Sequence, residues 1–271
     1  NTLTKEMRRL KMADKSRKGR LRMMSISTVI PNLITVLALC SGLTGIRFAV
    51  HERWEFAVGA IGLAAILDTL DGRMARLLKG QSRFGAELDS LSDFISFGVA
   101  PALILFFWST DVLGGFGWMS VLFFSTCMAL RLARFNTKLD DLDPKPFAAR
   151  FFSGVPAPAA AGLACLPIIL SFEMDFEILR TPQIVIGWLV IIGLMMVSSL
   201  PTYSFKGTKL PQKLVIPIFL IGGIFIAGAL TEPWIALAAL IFSYLLSIPL
   251  SFRSYRNCLL YTSPSPRDQR G

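Results

Sequence analysis

Between Asp68 and Asp93 the chain places four aspartates, Asp68, Asp71, Asp89 and Asp93, in D-T-L-D-G-R-M-A-R and, eight residues on, G-A-E-L-D-S-L-S-D. The stretch around them is otherwise apolar enough to lie in a membrane. An acid at the centre of a membrane helix costs about 2.5–3.5 kcal/mol, so acids kept at that depth default to function. Asp68 and Asp71 are three residues apart, and Gly85, Asp89 and Asp93 recur every four. Each set therefore follows one face of a helix. Two adjacent helices could bring all four carboxylates to one point, and a donor set made only of oxygen suits hard cations such as Mg2+ or Mn2+. Four carboxylates cannot all stay ionised side by side without compensating charge. Two divalent cations about 3.5–4 Å apart would supply that charge and could clamp a phosphoryl group in transit.

The residues between the acids fit the same chemistry. Gly72, Ala75 and Gly85 withhold side chains where a bulky substrate would approach the backbone. Arg76 stands about one turn beyond Asp71 and Gly72, placed to pair with a phosphate. Small residues, hard-metal ligands and a phosphate-binding arginine together imply a diphosphate substrate. There are competing readings. Small residues also pack membrane helices, and Gly72 or Gly85 taken singly fits that role. A lone membrane aspartate would fit an ion or proton pathway.

The elements that must hold these residues are helices. Of 271 residues, 53% are hydrophobic and 17% charged, with a mean hydropathy of +0.57. Soluble domains carry about 25% charged residues, so the composition is that of a polytopic membrane protein, an all-α helical bundle. Apolar runs near the roughly 20 residues needed to cross a bilayer lie at 28–50, 54–78, 86–108, 113–135, 153–172, 183–201, 214–230 and 233–252. Eight transmembrane helices is the expected number, or six if the last pair is peripheral. The net charge of +10 reads as basic flanks facing an anionic leaflet rather than as a nucleic-acid surface. The basic residues from Lys5 to Arg22 place the N-terminus in the cytoplasm. The segments 73–84, 131–150, 203–213 and the region after 252 then fall inside, all basic, whereas the turns 109–112, 173–182 and 230–232 carry only Arg180. The turn 51–53, with Arg53, is the exception. This topology puts the acids at the cytoplasmic ends of the second and third spans.

Cys40, Cys127, Cys165 and Cys258 have no ligand spacing, which argues against disulfides and zinc. His51 is the only histidine, which argues against His-based metal sites and Ser–His catalysis. The chain begins at Asn1 without a methionine, as a fragment would, and shows no signal-peptide pattern. Residues 1–27 form a basic cytoplasmic segment, read either as an interfacial amphipathic helix or as a disordered tail that enforces orientation. From about Asn257 the composition changes abruptly and resembles translated cloning sequence, so 253–271 is expected to be a disordered, partly non-native tail behind a membrane domain over 28–252.

Asp68 to Asp93 fills every fixed position of D-x2-D-G-x2-A-R-x8-G-x3-D-x3-D, and in this the chain resembles the CDP-alcohol phosphotransferases. The resemblance implies that Asp68, Asp71 and Asp89 are metal ligands and that Asp93 is both ligand and general base. It implies that Gly72, Ala75, Arg76 and Gly85, with Asp68, form the CDP-lipid site. The reaction would be attack by an alcohol on the lipid-side phosphate with release of CMP. A homodimer in a bacterial inner membrane, its active site facing the cytoplasm, is implied by the same likeness.

Four flanking segments narrow the acceptor. P-N-L-I-T from Pro31, S-D-F-I-S-F-G-V-A-P-A from Ser92, A-L-R-L-A-R-F-N from Ala129 and F-F-S-G-V-P-A-P-A-A-A from Phe151 resemble bacterial membrane-integral phosphatidylserine synthases. The expected substrates are thus CDP-diacylglycerol and L-serine. Glycerol phosphate, inositol phosphate and choline remain alternatives, though Phe94 replaces the lysine that usually follows the last acid in the glycerol phosphate branch. Serine carries a carboxylate that needs a cation. Arg131 and Arg134, three apart near the inner end of span four, could supply a bidentate guanidinium or could simply snorkel to the interface. Asn136 and Ser153 stand close enough in sequence to join an acceptor or phosphate pocket. Pro156 and Pro158 break the start of span five, and irregular backbone at that depth suits a cavity wall. Asn32 could reach the cytidine or cap the first span. Asp140, Asp141 and Asp143 read as a solvated turn. A cation transporter would explain the acids but not Arg76 and the glycines, and an inactive scaffold would not need the signature intact.

Overall fold

The computed structural model describes residues 26–139, 151–174, 176–198, 201–203 and 215–262. Residues 1–25, with nearly all of the basic N-terminal segment, and the turn at Asp140, Asp141 and Asp143 lie outside the described residues, as does the chain beyond Thr262.

The described residues form eight helical passes. They are α1 (Ile26–Val50), α2 (Trp54–Leu77), a rod built from α3 (Arg83–Asp93), a π-helical turn (Phe94–Val99) and α4 (Ala100–Trp108), then α5 (Gly115–Leu139), α6 (Ala157–Ser171), α7 (Pro182–Val197), α8 (Val215–Thr231) and α9 (Pro233–Thr262). Helices dominate because a bilayer offers backbone N–H and C=O groups no water, so each segment must satisfy its own. Ser27–Val50, Arg83–Trp108 and Gly115–Thr137 are long and apolar enough to cross a membrane, and Ala157–Ser171, Pro182–Val197, Ile216–Thr231 and Pro233–Pro249 are shorter apolar helices. α2 is long enough at 24 residues, but its last turns carry Asp68, Asp71, Arg73 and Arg76. The protein is an all-α integral membrane bundle. Apolar side chains on its periphery, such as Phe219, Ile221 and Ile224 of α8, are exposed, as a lipid-facing surface requires.

Two local features set the rod that carries half of the acids. Ser82 caps α3, its hydroxyl accepting the Gly85 N–H at 2.9 Å. Further along, Pro101 has no N–H to give and its ring crowds the carbonyl four residues back. The turn before it widens, with the Ala100 N–H reaching back to the Ile95 carbonyl. The widened turn begins at the residue after Asp93.

Span five differs from expectation. Phe151–Ser153 is a short strand paired antiparallel with Pro201–Tyr203, with Phe151 opposite Tyr203 and Ser153 opposite Pro201. The helices expected over 153–172 and 183–201 are therefore trimmed to Ala157–Ser171 and Pro182–Val197. Pro156 and Pro158 set the start of α6, since proline fixes φ and supplies no N–H, and α7 ends where Ser198 turns to extended backbone. Gly154, at φ +82°, turns the strand into α6, a conformation that favours glycine. α9 runs past 252 to Thr262, into the segment expected to be a disordered tail. After Pro249 no proline or glycine stops it before Pro264.

The core centres on α6, buried along nearly its whole length, and on Phe97, Phe124 and Met128, where the π turn meets α5. The Trp188 indole N–H ties α7 to the Leu163 carbonyl of α6 at 2.7 Å. α1 lies against both α2 and the rod. The Ser41 hydroxyl donates to the Ala60 carbonyl at 2.8 Å, and the Ser96 hydroxyl donates to the Ala38 carbonyl at 3.3 Å. Where α1 crosses the π turn, a Cβ on Gly42 would sit 2.5 Å from Ser96 Oγ and 2.7 Å from its Cα. Gly42→Ala is therefore expected to cost about 1–3 kcal/mol by overpacking and to lower the thermal midpoint in detergent. Gly187→Ala, whose added methyl would meet nothing within 4 Å, should leave the midpoint unchanged.

Candidate functional site

The two helices that carry the acids meet as the spacing requires. Asp68 and Asp71 leave the last turns of α2, Asp89 and Asp93 the last turns of α3. Asp68, Asp71 and Asp89 each offer a carboxylate oxygen, and the three oxygens lie within 4.8 Å of one another. Such an arrangement could hold a metal ion. Asp71 is 5% exposed and its two partners are half-buried. Asp93 stands outside this triad but beside it, its carboxylate within electrostatic reach of those of Asp68 and Asp89.

α1 supplies polar contacts to both acid helices. The Thr35 hydroxyl donates to Asp71 Oδ2 at 2.5 Å, and the Ser92 hydroxyl donates to the Thr35 carbonyl at 3.2 Å. Asn32 faces Gly85: a Cβ there would lie 2.7 Å from Asn32 Oδ1 and 3.1 Å from Ser82 Oγ. Helix packing thus explains glycine at position 85. It does not explain glycine at 72, where a Cβ would meet nothing within 4 Å. Ala75 is half-buried and Arg76 exposed on the final turn of α2. The open space at Gly72 and the free approach to Arg76 lie on the same helix end as Asp68 and Asp71.

α5 separates the two arginines that the sequence leaves equivalent. The Arg131 Nε–H donates to the Val155 carbonyl at 2.7 Å, and its guanidinium lies within electrostatic reach of Asp93, Asp68 and Tyr244. Its Nη1 is buried and has no hydrogen-bond partner among the described residues. Arg134 is exposed, and its Nη1–H donates to the Val197 carbonyl at 2.6 Å, at the C-terminal end of α7. Only Arg131 turns towards the acids. Asn136 donates its amide N–H to Ser90 Oγ at 3.0 Å, tying α5 to α3 one residue from Asp89. The backbone of Ser153 lies in the strand, and its side chain falls outside the described residues.

A cavity of about 1030 Å³ runs between α2, α6 and α9. Its walls are apolar, with Ile61, Ile66, Ile169 and Ile241 among them, until Thr69, Arg73, Tyr244 and Ser247 at the end nearest the acids. Thr35, Ser90, Ser92 and Tyr244 are contacts that the sequence did not single out. Tyr244 sits in the last apolar span, far from the acids in sequence, with no local signal. Thr35 lies in the P-N-L-I-T segment, whose resemblance could have prompted the question.

The sequence profile of the CDP-alcohol phosphatidyltransferase family matches residues 28–249. The CDP-diacylglycerol–serine O-phosphatidyltransferase of Mycobacterium tuberculosis is 36% identical over 230 residues, covering 84% of this chain and 79% of that protein. The protein of the same name from Helicobacter pylori is 35% identical over 218 residues, 80% of this chain and 88% of its own. That of Methanocaldococcus jannaschii is 34% identical over 192 residues, 70% and 79%. With the acids of the signature drawn together where α2 meets α3 and the match running the length of the bundle, the chain belongs to the CDP-alcohol phosphatidyltransferase family.

Proposed function

We propose that this chain transfers the phosphatidyl group of CDP-diacylglycerol to the hydroxyl of L-serine, giving phosphatidylserine and CMP. The observation that carries the reading is the convergence of Asp68, Asp71 and Asp89, with Asp93 beside them, in a chain whose relatives are named for that reaction. The three oxygens fit a hard divalent cation, Mg2+ or Mn2+, as ligands. Asp68, Asp71, Asp89 and Asp93 would hold a pair of such ions, whose charge would offset that of the diphosphate and the departing CMP.

The chain's own residues divide the work. Gly72 leaves the end of α2 open to the nucleotide, and Arg76 pairs with the diphosphate. Asp68, Ala75, Gly85 and Asn32 complete the CDP-lipid site. Asp93 accepts the serine hydroxyl proton as the serine oxygen attacks the lipid-side phosphorus. The bond from that phosphorus to the bridging oxygen breaks, and CMP leaves. Arg131 offers the serine carboxylate its buried Nη1–H beside Asp93. Arg134, held by the end of α7, positions the helix rather than the acceptor, and Asn136 braces α3 through Ser90. The acyl chains lie in the cavity between α2, α6 and α9. The membrane domain spans 28–252 of a bacterial inner-membrane protein whose N-terminus and site face the cytoplasm, supported by the basic inner segments. A homodimer belongs to the same reading through the family likeness.

The test is CMP release by the purified protein in detergent with CDP-diacylglycerol and Mg2+ or Mn2+, comparing serine, glycerol 3-phosphate, inositol phosphate and no acceptor. Release only with serine is expected, and EDTA should stop it. Release with another alcohol would keep the family chemistry and overturn the acceptor. Asp93→Asn should lower kcat by about 100-fold or more, the usual contribution of a general base, with CDP-diacylglycerol binding retained. Near-normal turnover would remove Asp93 from that role. Arg131→Lys should raise the KM for serine by about tenfold or more, the worth of a hydrogen bond to a charged group, and Arg134→Lys should not. Equal serine kinetics in both variants would make the two arginines interfacial anchors.

A further inference from the structure

α1 carries none of the four acids, yet one of its residues is bonded to both helices that do. Thr35 is 4% exposed. Its hydroxyl has a single proton and two acceptors in range, the Pro31 carbonyl at 3.1 Å and Asp71 Oδ2 at 2.5 Å. The shorter distance is that of a hydroxyl on a carboxylate, stronger than a neutral hydrogen bond. The longer one is the weaker contact, to a neutral carbonyl of the same helix. The proton therefore belongs to Asp71. The same residue's carbonyl accepts the Ser92 hydroxyl at 3.2 Å, one position before Asp93. The β-branched side chain has few χ1 states, so its hydroxyl is aimed by the helix itself.

We propose that Thr35 is a positioning residue of the cation site. Its hydroxyl locks the Asp71 carboxylate in the orientation that brings an oxygen towards those of Asp68 and Asp89. This rests on the reading of the acids as a divalent-cation site. An unheld Asp71 could swing about its own χ angles, and the three oxygens would no longer be arranged before a cation arrives. Groups that orient metal ligands in this way commonly carry 10–100-fold in metal affinity. The Ser92 bond to the Thr35 carbonyl makes the same residue the reference point for α3. The signature does not include Thr35, because its constraint lies on a third helix.

The test is Mn2+ binding by electron paramagnetic resonance on the detergent-purified full chain, without lipid or serine. Thr35→Val keeps the shape and removes the donor, and it should weaken Mn2+ binding by about tenfold or more. Thr35→Ser restores the hydroxyl and should return binding close to that of the unaltered protein. Ser41→Ala is the packing control. It deletes another buried hydroxyl between α1 and α2, bonded to Ala60 at 2.8 Å, and should leave Mn2+ binding intact. If the valine variant does not yield folded protein, Thr35→Ala takes its place against the same serine rescue. Unchanged Mn2+ binding in Thr35→Val, a failure of serine to restore it, or an equal loss in Ser41→Ala would each overturn the inference. No Mn2+ binding by the unaltered protein would overturn the cation-site reading itself, and this inference with it.

Discussion

The constraint from which the rest of the structure follows is electrostatic: four carboxylates gathered among apolar helices. Such a cluster is unfavourable on two counts, through the loss of water around each charge and through mutual repulsion. The surrounding architecture is arranged to hold that cluster together. α2 and α3 bring three acids within 4.8 Å, α1 lends a hydroxyl to the most buried of them, and α5 brings the guanidinium of Arg131 alongside. None of these groups neutralises the whole cluster. The remaining negative charge is what a divalent cation would find favourable, so the electrostatics that burden the cluster are the same ones that would hold a cation there.

Rigidity at the site comes from close helix contacts rather than from bulky packing. α1 touches the rod through Asn32 and Gly85, Thr35 and Ser92, and Gly42 and Ser96, a series that climbs one face of the helix. The π turn after Asp93 lies on this line. A proline one turn further on forces the backbone to widen there, so the register of α4 in the core is offset from that of α3 at the site. The core can then pack around Phe97, Phe124 and Met128 while the acids keep their own alignment.

Much of this was legible in the sequence because its signals are periodic. The eight apolar runs became eight helical passes, and the spacing of the acids placed Asp68, Asp71 and Asp89 together. What was not legible depends on partners distant in sequence. Arg131 and Arg134 look alike at three-residue spacing, and only the carbonyls of Val155 and Val197 separate them. Gly72 and Gly85 look alike in the sequence, each open to a substrate reading or a packing one, yet only Gly85 has a neighbour pressed against it. The ribbon joining Phe151–Ser153 to Pro201–Tyr203 is too short for strand periodicity to register, and a threonine in an apolar helix gives no sign of the carboxylate it holds.

The cavity between α2, α6 and α9 has a consequence for how such a protein would be supplied. Leu63, Ile66 and Leu240 line it and are also among the exposed apolar side chains, so it opens sideways onto hydrocarbon rather than towards water. A molecule that enters there arrives by two-dimensional diffusion within the leaflet. Its effective concentration is then a mole fraction among other lipids, set by membrane composition and not by the volume of the cell. Adding inert amphiphile at constant total lipid substrate would starve the cavity, while a water-soluble co-substrate reaching the acids from the other direction would not be affected.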